Sequence, residues 1–413
     1  MKTKYFIPIT LLFFAAGNII AQKIIDKDIS FTYIRLPQEP IGRAYQNYQS
    51  YVVPAYAAEN AAKKADYEKK KADADAQYQM DLAIWSQKDK AAQDQYNRDM
   101  DTYNKKTTAQ KLLDQNLLNQ GKPVRQQVPM PVKNYPPEPQ YKKEYDSNLL
   151  SSYIKLDGFK NAGDNAVVIT VTLYGFDGQQ PQLITTQKTV SDKNGSHNVN
   201  VYHYETQYKH PMSVKVEAPG KGVIMNQSIE AFNNYSVEKT PESDQPAQMD
   251  ATSYLKNLEE RVVVDNLKFI NNMLNEKYGF SKAQRNTILY SAESKKENYD
   301  DLKSAYDNAL AAYNSLIDDK GASLAKLKTS IDTWLKEASE ANMNDKKARI
   351  DGEVGAMVEL NLAEAFMWMD DYDDAQAHLA KLSSLDPSRH QRHHGEELAE
   401  MIKQQKKLFD ANK

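Results

Sequence analysis

Between Ala55 and Gln120 the chain contains neither glycine nor proline. Sixty-six residues without an internal stop signal, rich in Ala, Lys, Asp and Gln, favour one long helix or a helical hairpin. Its Lys and Arg total 11 and its Asp and Glu total 11, so no basic face is offered to nucleic acid or to anionic lipid. Within this polar run stand Tyr67, Tyr78, Trp85, Tyr96 and Tyr103. Their spacings of 11, 7, 11 and 7 are close to whole numbers of α-helical turns and place all five rings on one face. A stripe of rings needs a cover.

The residues that follow supply a candidate. From Gly121 to Tyr145, prolines stand at positions 123, 129, 131, 136, 137 and 139, a composition that favours an extended polyproline II conformation. We expect a stalk in which the helix runs out and the proline-rich segment runs back along the aromatic stripe. Two alternatives compete: a hairpin turning near Ser86–Lys90 followed by an unstructured linker, or a disordered segment.

A polar rod also explains the composition. Apolar residues make up 40% of the 413, mean hydropathy is −0.74, and Tyr (26) far outnumbers Phe (11). Tyr carries an apolar ring with a polar tip and suits thin structures without a deep core. The formal charge of −3 creates no field for nucleic acid. The start, MKTKYFIPITLLFFAAGNIIAQ, has Lys2 and Lys4 before an apolar stretch from Tyr5 to Ala16 and offers cleavage after Ala21. This reads as a secretory signal over 1–21, with a retained anchor as the alternative. No later stretch approaches a membrane span. With no cysteine, disulfides and Cys-based zinc sites are excluded. An exported chain without them fits the periplasm or surface of a Gram-negative bacterium.

The fold class expected is multidomain α+β. Strands at Ile29–Leu36 and Tyr45–Val53 open a β domain (22–54) that the stalk (55–148) interrupts. It resumes over 149–240 as an immunoglobulin-like sandwich or barrel, with strands such as NAVVITVTLYGF and turns at DGQQP, DKNGS and PGKG. The likeness of YIRL at 33–36 to YIKL at 153–156 supports strands on either side of the insertion. A polar linker, 241–250, leads to an all-helical region over 251–413, with helices near 251–278, 281–317, 323–342, 345–369, 372–384 and 395–411.

Within that region, Ala356 to Pro387 reads AMVELNLAEAFMWMDDYDDAQAHLAKLSSLDP. It resembles a tetratricopeptide repeat: Leu362, Ala363 and Phe366 match the first helix, DDYDDA the turn, Leu379 and Leu382 the second helix, and LDP the end. Glu359 stands where the family often has Trp, and Ala363 where it often has Gly. The resemblance implies neighbouring repeats, with Glu297–Leu316 as a degenerate companion, and a protein-docking surface. The residues it nominates for a partner are Glu359, Leu362, Phe366, Trp368 and Tyr372.

Nothing else carries chemistry. His390, His393 and His394 are expected in a solvated interhelix loop, and His203 and His210 on exposed strand faces. EAPGKG lacks phosphate-loop spacing. No cofactor and no metal is expected. The reading is a non-enzymatic envelope scaffold that docks protein partners and carries no membrane span once its signal is removed. Peripheral association with a membrane complex is compatible with it, and an adhesin or glycan binder with the β domain as head is the alternative.

Overall fold

The structure, a computed structural model, describes residues 23–413 except 43, 118–120, 194, 343, 346 and 386. The expected signal peptide therefore lies outside the described residues. In chain order the elements are β1 (Lys23–Ile34), β2 (Asn47–Pro54), α1 (Ala57–Lys105), α2 (Thr108–Leu117), α3 (Ser147–Ser151), β3 (Lys160–Asn161), β4 (Ala166–Leu173) and β5 (Asp177–Gly178). There follow β6 (Gln182–Asp192), β7 (Gly195–Lys209), β8 (Met212–Ala218), β9 (Gly222–Ser228), α4 (Glu230–Asn233), β10 (Ser236–Lys239), α5 (Ala251–Tyr278) and β11 (Lys282–Glu293). The chain closes with α6 (Asp300–Ser315), α7 (Lys320–Ser339), α8 (Gly352–Trp368), α9 (Tyr372–Lys381) and α10 (Arg389–Ala411). The mixed α+β class holds.

Helix α1 runs unbroken for 49 residues, about 74 Å at 1.5 Å per residue, and passes straight through Ser86–Lys90. Lys106 takes an extended backbone and ends it. Lys111 of α2 then lies over the Tyr103 ring at 4.9 Å. Of the helix's own residues only Asn60 is buried, so the rod has no core of its own. All five stripe rings are half-buried, while most of their neighbours are exposed.

The cover is the extended stretch after Gly121. Trp85 donates its indole N–H to the Val128 carbonyl at 2.9 Å, and Arg125 reaches Asp89 at 2.5 Å. Tyr135 donates to Asp75 at 2.9 Å, beside a Lys133–Asp75 ion pair. Asn60 bonds both backbone groups of Lys142. The two segments are therefore antiparallel. From Asn60 to Asp89 the helix advances 29 positions, about 43 Å. The return uses 17 positions, from Arg125 to Lys142, or about 2.6 Å each, short of full polyproline extension. Pro123, Pro131, Pro136 and Pro139 are its half-buried prolines, and Pro129 and Pro137 are exposed.

The β body departs from a sandwich. One sheet has the order β3-β2-β4-β8-β9, with β2 parallel to β4. A second joins β10, β7 and β5, with β6 paired on β7. No residue of the second sheet enters the first sheet's buried core. The layer that covers it is α5, through Val263, Leu267, Ile270, Leu274 and Tyr278. That spacing is one helical face, and each such burial contributes roughly 1.5–3 kcal/mol. The sequence reading assigned this helix to the next domain and so lacked the cover. β4 accordingly buries one face, with Ile169, Val171 and Leu173 inward and Thr170 and Thr172 half-open. Asp250 caps α5 by accepting from the N–H groups of Thr252 and Ser253.

Two further expectations are revised. β1 pairs along its whole length with β11, from Lys23 opposite Glu293 to Ile34 opposite Lys282, and so belongs with the helices rather than with β2. Residues 282–293, expected as helix, form that partner strand. YIKL at 153–156 is no strand. Its backbone is held by α5, where Asn271 accepts from the Lys155 N–H and Asn275 bonds the Lys155 carbonyl and the Asp157 N–H, each at 2.7 Å.

The ribbon and α6–α10 share one core, with Phe31, Tyr290, Tyr313 and Trp334 among its rings. α8 is buried nearly all round, which makes it the central helix of the domain.

Candidate partner-binding site

α8 and α9 form the helix pair of the repeat-like segment. Asp370 adopts a positive φ of 63° in the turn, and Asp371 caps α9 by accepting from the Asp374 N–H. The residues nominated for a partner are mostly interior. Glu359 is buried, with its carboxylate 2.5 Å from His378 Nδ1 and 3.6 Å from Lys381 Nζ. Leu362 is fully buried. Trp368 packs edge-on against Phe31 and Tyr33. Tyr372 lies against Phe409 at 5.4 Å. Only Phe366 is half-exposed, and it stacks flat on His378. These side chains hold the domain together, and of the five only Trp368 and Tyr372 also border a cleft.

Beneath them lies a buried polar network. Glu364 on α8 receives Arg285 of β11 at 3.1 and 2.7 Å, the Trp368 indole N–H at 2.8 Å and the Thr287 hydroxyl at 2.9 Å. Burial alone would push this carboxyl up. The Arg285 charge, with the Arg285 and Trp368 bonds, outweighs burial and holds it below its ordinary value. His394 of α10 bonds Thr287 and the Tyr290 hydroxyl through its two nitrogens, at 3.1 and 3.0 Å. Burial lowers its pKa, with Glu364 and Arg285 acting in opposite senses. Asn361 donates to the Tyr290 carbonyl and accepts from its N–H, so a helix side chain takes the place of a neighbouring strand.

Above the network is a cleft of about 470 Å³ between the end of β1, the end of α6, the α8–α9 turn and the end of α10. Trp368, Tyr372 and Phe409 give it aromatic walls, Ile34 and Leu316 add aliphatic surface, and Lys320 and Asp370, 3.3 Å apart, give it a charged rim. Its size and apolar lining suit a side chain or a short peptide. Burial and the neighbouring Asp370 push the Tyr372 phenol up, so it enters any contact as a neutral hydroxyl.

The histidines fall differently from expectation. SRHQRHHGEE opens α10, with Ser388 and Gln391 forming a capping box. His394 is buried in the network, while His390 bonds Asp26 at 3.0 Å. The two do not converge, and among the described residues no cluster of three or more His, Asp or Glu could hold a metal. His203 and His210 are buried, not exposed. Arg285 escaped the sequence reading, which placed His394 in a solvated loop and Ile34 in a strand of the β domain. The β-branched and aromatic run TILY within β11 was the available signal for the strand that carries Arg285.

The chain matches no protein-family model and no curated protein sequence. Among the described residues no helix is long and apolar enough to cross a membrane.

Proposed function

We propose that this protein is an exported scaffold of a Gram-negative envelope, docking a protein partner on its helical domain and using the stalk as a spacer. The observation that carries this reading is the clasped stalk, a 49-residue helix lined by its own returning chain. Both ends are fixed to the body. Ala55 donates its N–H to the Leu173 carbonyl of β4 at 2.9 Å, and Tyr145 and Lys143 bond Glu259 and Glu260 of α5. A rod tied down at its base transmits position, which a flexible linker does not. The aromatic cleft supports docking, as does the resemblance of Ala356 to Pro387 to a repeat family that binds proteins.

The test is cross-linking mass spectrometry in intact cells with fractionation. The expected result is export, with exposed lysines of α7 and α10 linked to a distinct envelope protein. Cytoplasmic retention, or links confined to this chain, would overturn the reading. The adhesin alternative draws on exposed Tyr51 and Tyr174 beside the open sheet face; glycan-array binding by the full chain would favour it.

A further inference from the structure

β1 has one bonded edge and one open edge. Asn361 takes the Tyr290 N–H and carbonyl on the side of β11 away from β1, and Tyr290 is the register partner of Asp26. Inward and outward amides alternate along an antiparallel ladder. Ile24, Asp26, Asp28, Ser30, Thr32 and Ile34 therefore turn their N–H and C=O groups away from β11. Among the described residues no hydrogen bond from another element reaches these groups. Asp26, Lys27 and Asp28 are exposed in succession, which puts both faces of this stretch at a sheet margin. The edge ends at the cleft, where Ile34 is 44% exposed beside Trp368, Tyr372 and Phe409.

We infer that this edge accepts an extended segment of a partner protein as a third strand. The segment places basic residues at alternate positions against Asp26 and Asp28, and one apolar side chain in the Trp368–Phe409 cleft. In strand addition the main chain supplies affinity and alternate side chains supply specificity. The side chains of Asp26 and Asp28 share a face, two residues apart. Asp26 meets His390, and Asp28 makes no ion pair among the described residues. Charged edges repel like edges, so a second copy of this strand is disfavoured and a basic one is selected. Lys27 points to the opposite face, over the Tyr306 ring at 5.8 Å. This inference rests on the docking role and names the chemistry of its partner.

The experiment uses the chain from residue 22 onward and labelled peptides of alternating Lys and Thr ending in Leu, made in both directions, with Glu-for-Lys counterparts. Fluorescence anisotropy is expected to show a Lys peptide binding at least about tenfold tighter than its Glu counterpart, less so in high salt. Ser30→Pro deletes one outward N–H and no backbone bond of the ladder, giving up only the Gln284 side-chain bond to the Ser30 hydroxyl; it should abolish binding while thermal stability falls only slightly. Asp28→Lys, with Asp26 still opposing it, should erase the preference for Lys over Glu, which keeps the test decisive if Ser30→Pro unfolds. Lack of binding by both Lys peptides overturns the proposal, as does unchanged preference in Asp28→Lys. If a cellular partner remains cross-linked to Ser30→Pro protein, docking stands and the strand edge is not its site.

Discussion

Asn60 and Lys142 exchange two hydrogen bonds: the Asn60 amide donates to the Lys142 carbonyl at 2.8 Å and accepts from its N–H at 3.2 Å. The same arrangement joins Asn361 to Tyr290, and Asn275 to Lys155 and Asp157. In each case a helix offers an extended segment the donor and acceptor that a neighbouring strand would provide, and buried backbone groups are satisfied without a sheet. Asn60→Leu should therefore open the base of the stalk. Losing a partly buried pair costs roughly 1–3 kcal/mol. Hydrogen exchange at residues 140–144 should accelerate by about tenfold or more, with the α6–α10 core unchanged. Unaltered exchange there would show that the prolines alone hold the return.

Halfway along, the clasp depends on Trp85. Trp85→Phe keeps most of the ring and removes the bond to Val128, at a cost of about 1 kcal/mol. Trp85→Ala removes the ring as well and should cost about 3 kcal/mol locally, toward the low end for losing a large aromatic from a fully buried site. Limited proteolysis in the 121–135 segment should quicken in that order. Equal cleavage rates for the two variants would assign the clasp to the hydrogen bond and leave the aromatic stripe without a mechanical part.

The Arg285–Glu364 pair should behave as a buried ion pair. Arg285→Met leaves the Glu364 carboxylate without its counter-charge, which typically costs 3–5 kcal/mol, roughly the same here. Adding Glu364→Gln to that variant should recover much of the loss, because the stranded charge is gone. Urea denaturation of the single and double variants gives the coupling directly. A double variant no more stable than Arg285→Met would show that geometry at Trp368 and Thr287, rather than charge, dominates the network.

Legibility followed locality. α5 was readable at both ends, because its apolar positions keep one face and Asp250 caps it. The longer strands from β4 to β10 were readable from their turns, but the two-residue β5 falls within DGQQP, which was expected as a turn. β11 was not: the heptad spacing of Tyr299, Tyr306 and Tyr313 extended a helical pattern backward over a strand with a polar first half. The start of α10 was legible in the Ser388–Gln391 spacing, yet its place between LDPS and GEE made the stretch look like a loop. The pairing of β1 with β11 joins Lys23 to Glu293, 270 residues away, and no local pattern encodes it. The buried network inherits that difficulty, since Arg285 and Glu364 meet only after the ribbon forms. The asparagine clamps were invisible for another reason: Asn within a helix reads as a weak helix former, and its value lies in the strand it replaces.

Two buried histidines set a pH dependence whose sign is fixed. His210, on the turn from β7 to β8, has neither ring nitrogen hydrogen-bonded among the described residues, and burial lowers its pKa to about 4. His394 is lowered too, again chiefly by burial. In the unfolded chain both rings take up a proton near the usual 6.5 or so. Between that value and the folded one the unfolded state binds more protons, so stability rises with pH. Each contribution is complete above about pH 6.5 and is lost as the pH falls, for His210 down to about 4. For His210 this contribution amounts to about 3 kcal/mol at neutral pH. The groups around it are Phe176, 6.4 Å away, and the Asn266 amide on its carbonyl, neither of which titrates. His210→Leu should therefore flatten the change in urea midpoint between pH 7 and 5 and make the protein more stable than wild type at pH 5. His394→Gln should flatten it less, because it sacrifices at least one of the bonds to Thr287 and Tyr290. Carboxylates held low, such as Glu364, give up their contribution only as the pH falls below the unfolded value of about 4.3, so the change between pH 7 and 5 comes chiefly from the histidines. A wild-type midpoint that does not move from pH 7 to 5 would mean that the His210 ring reaches water.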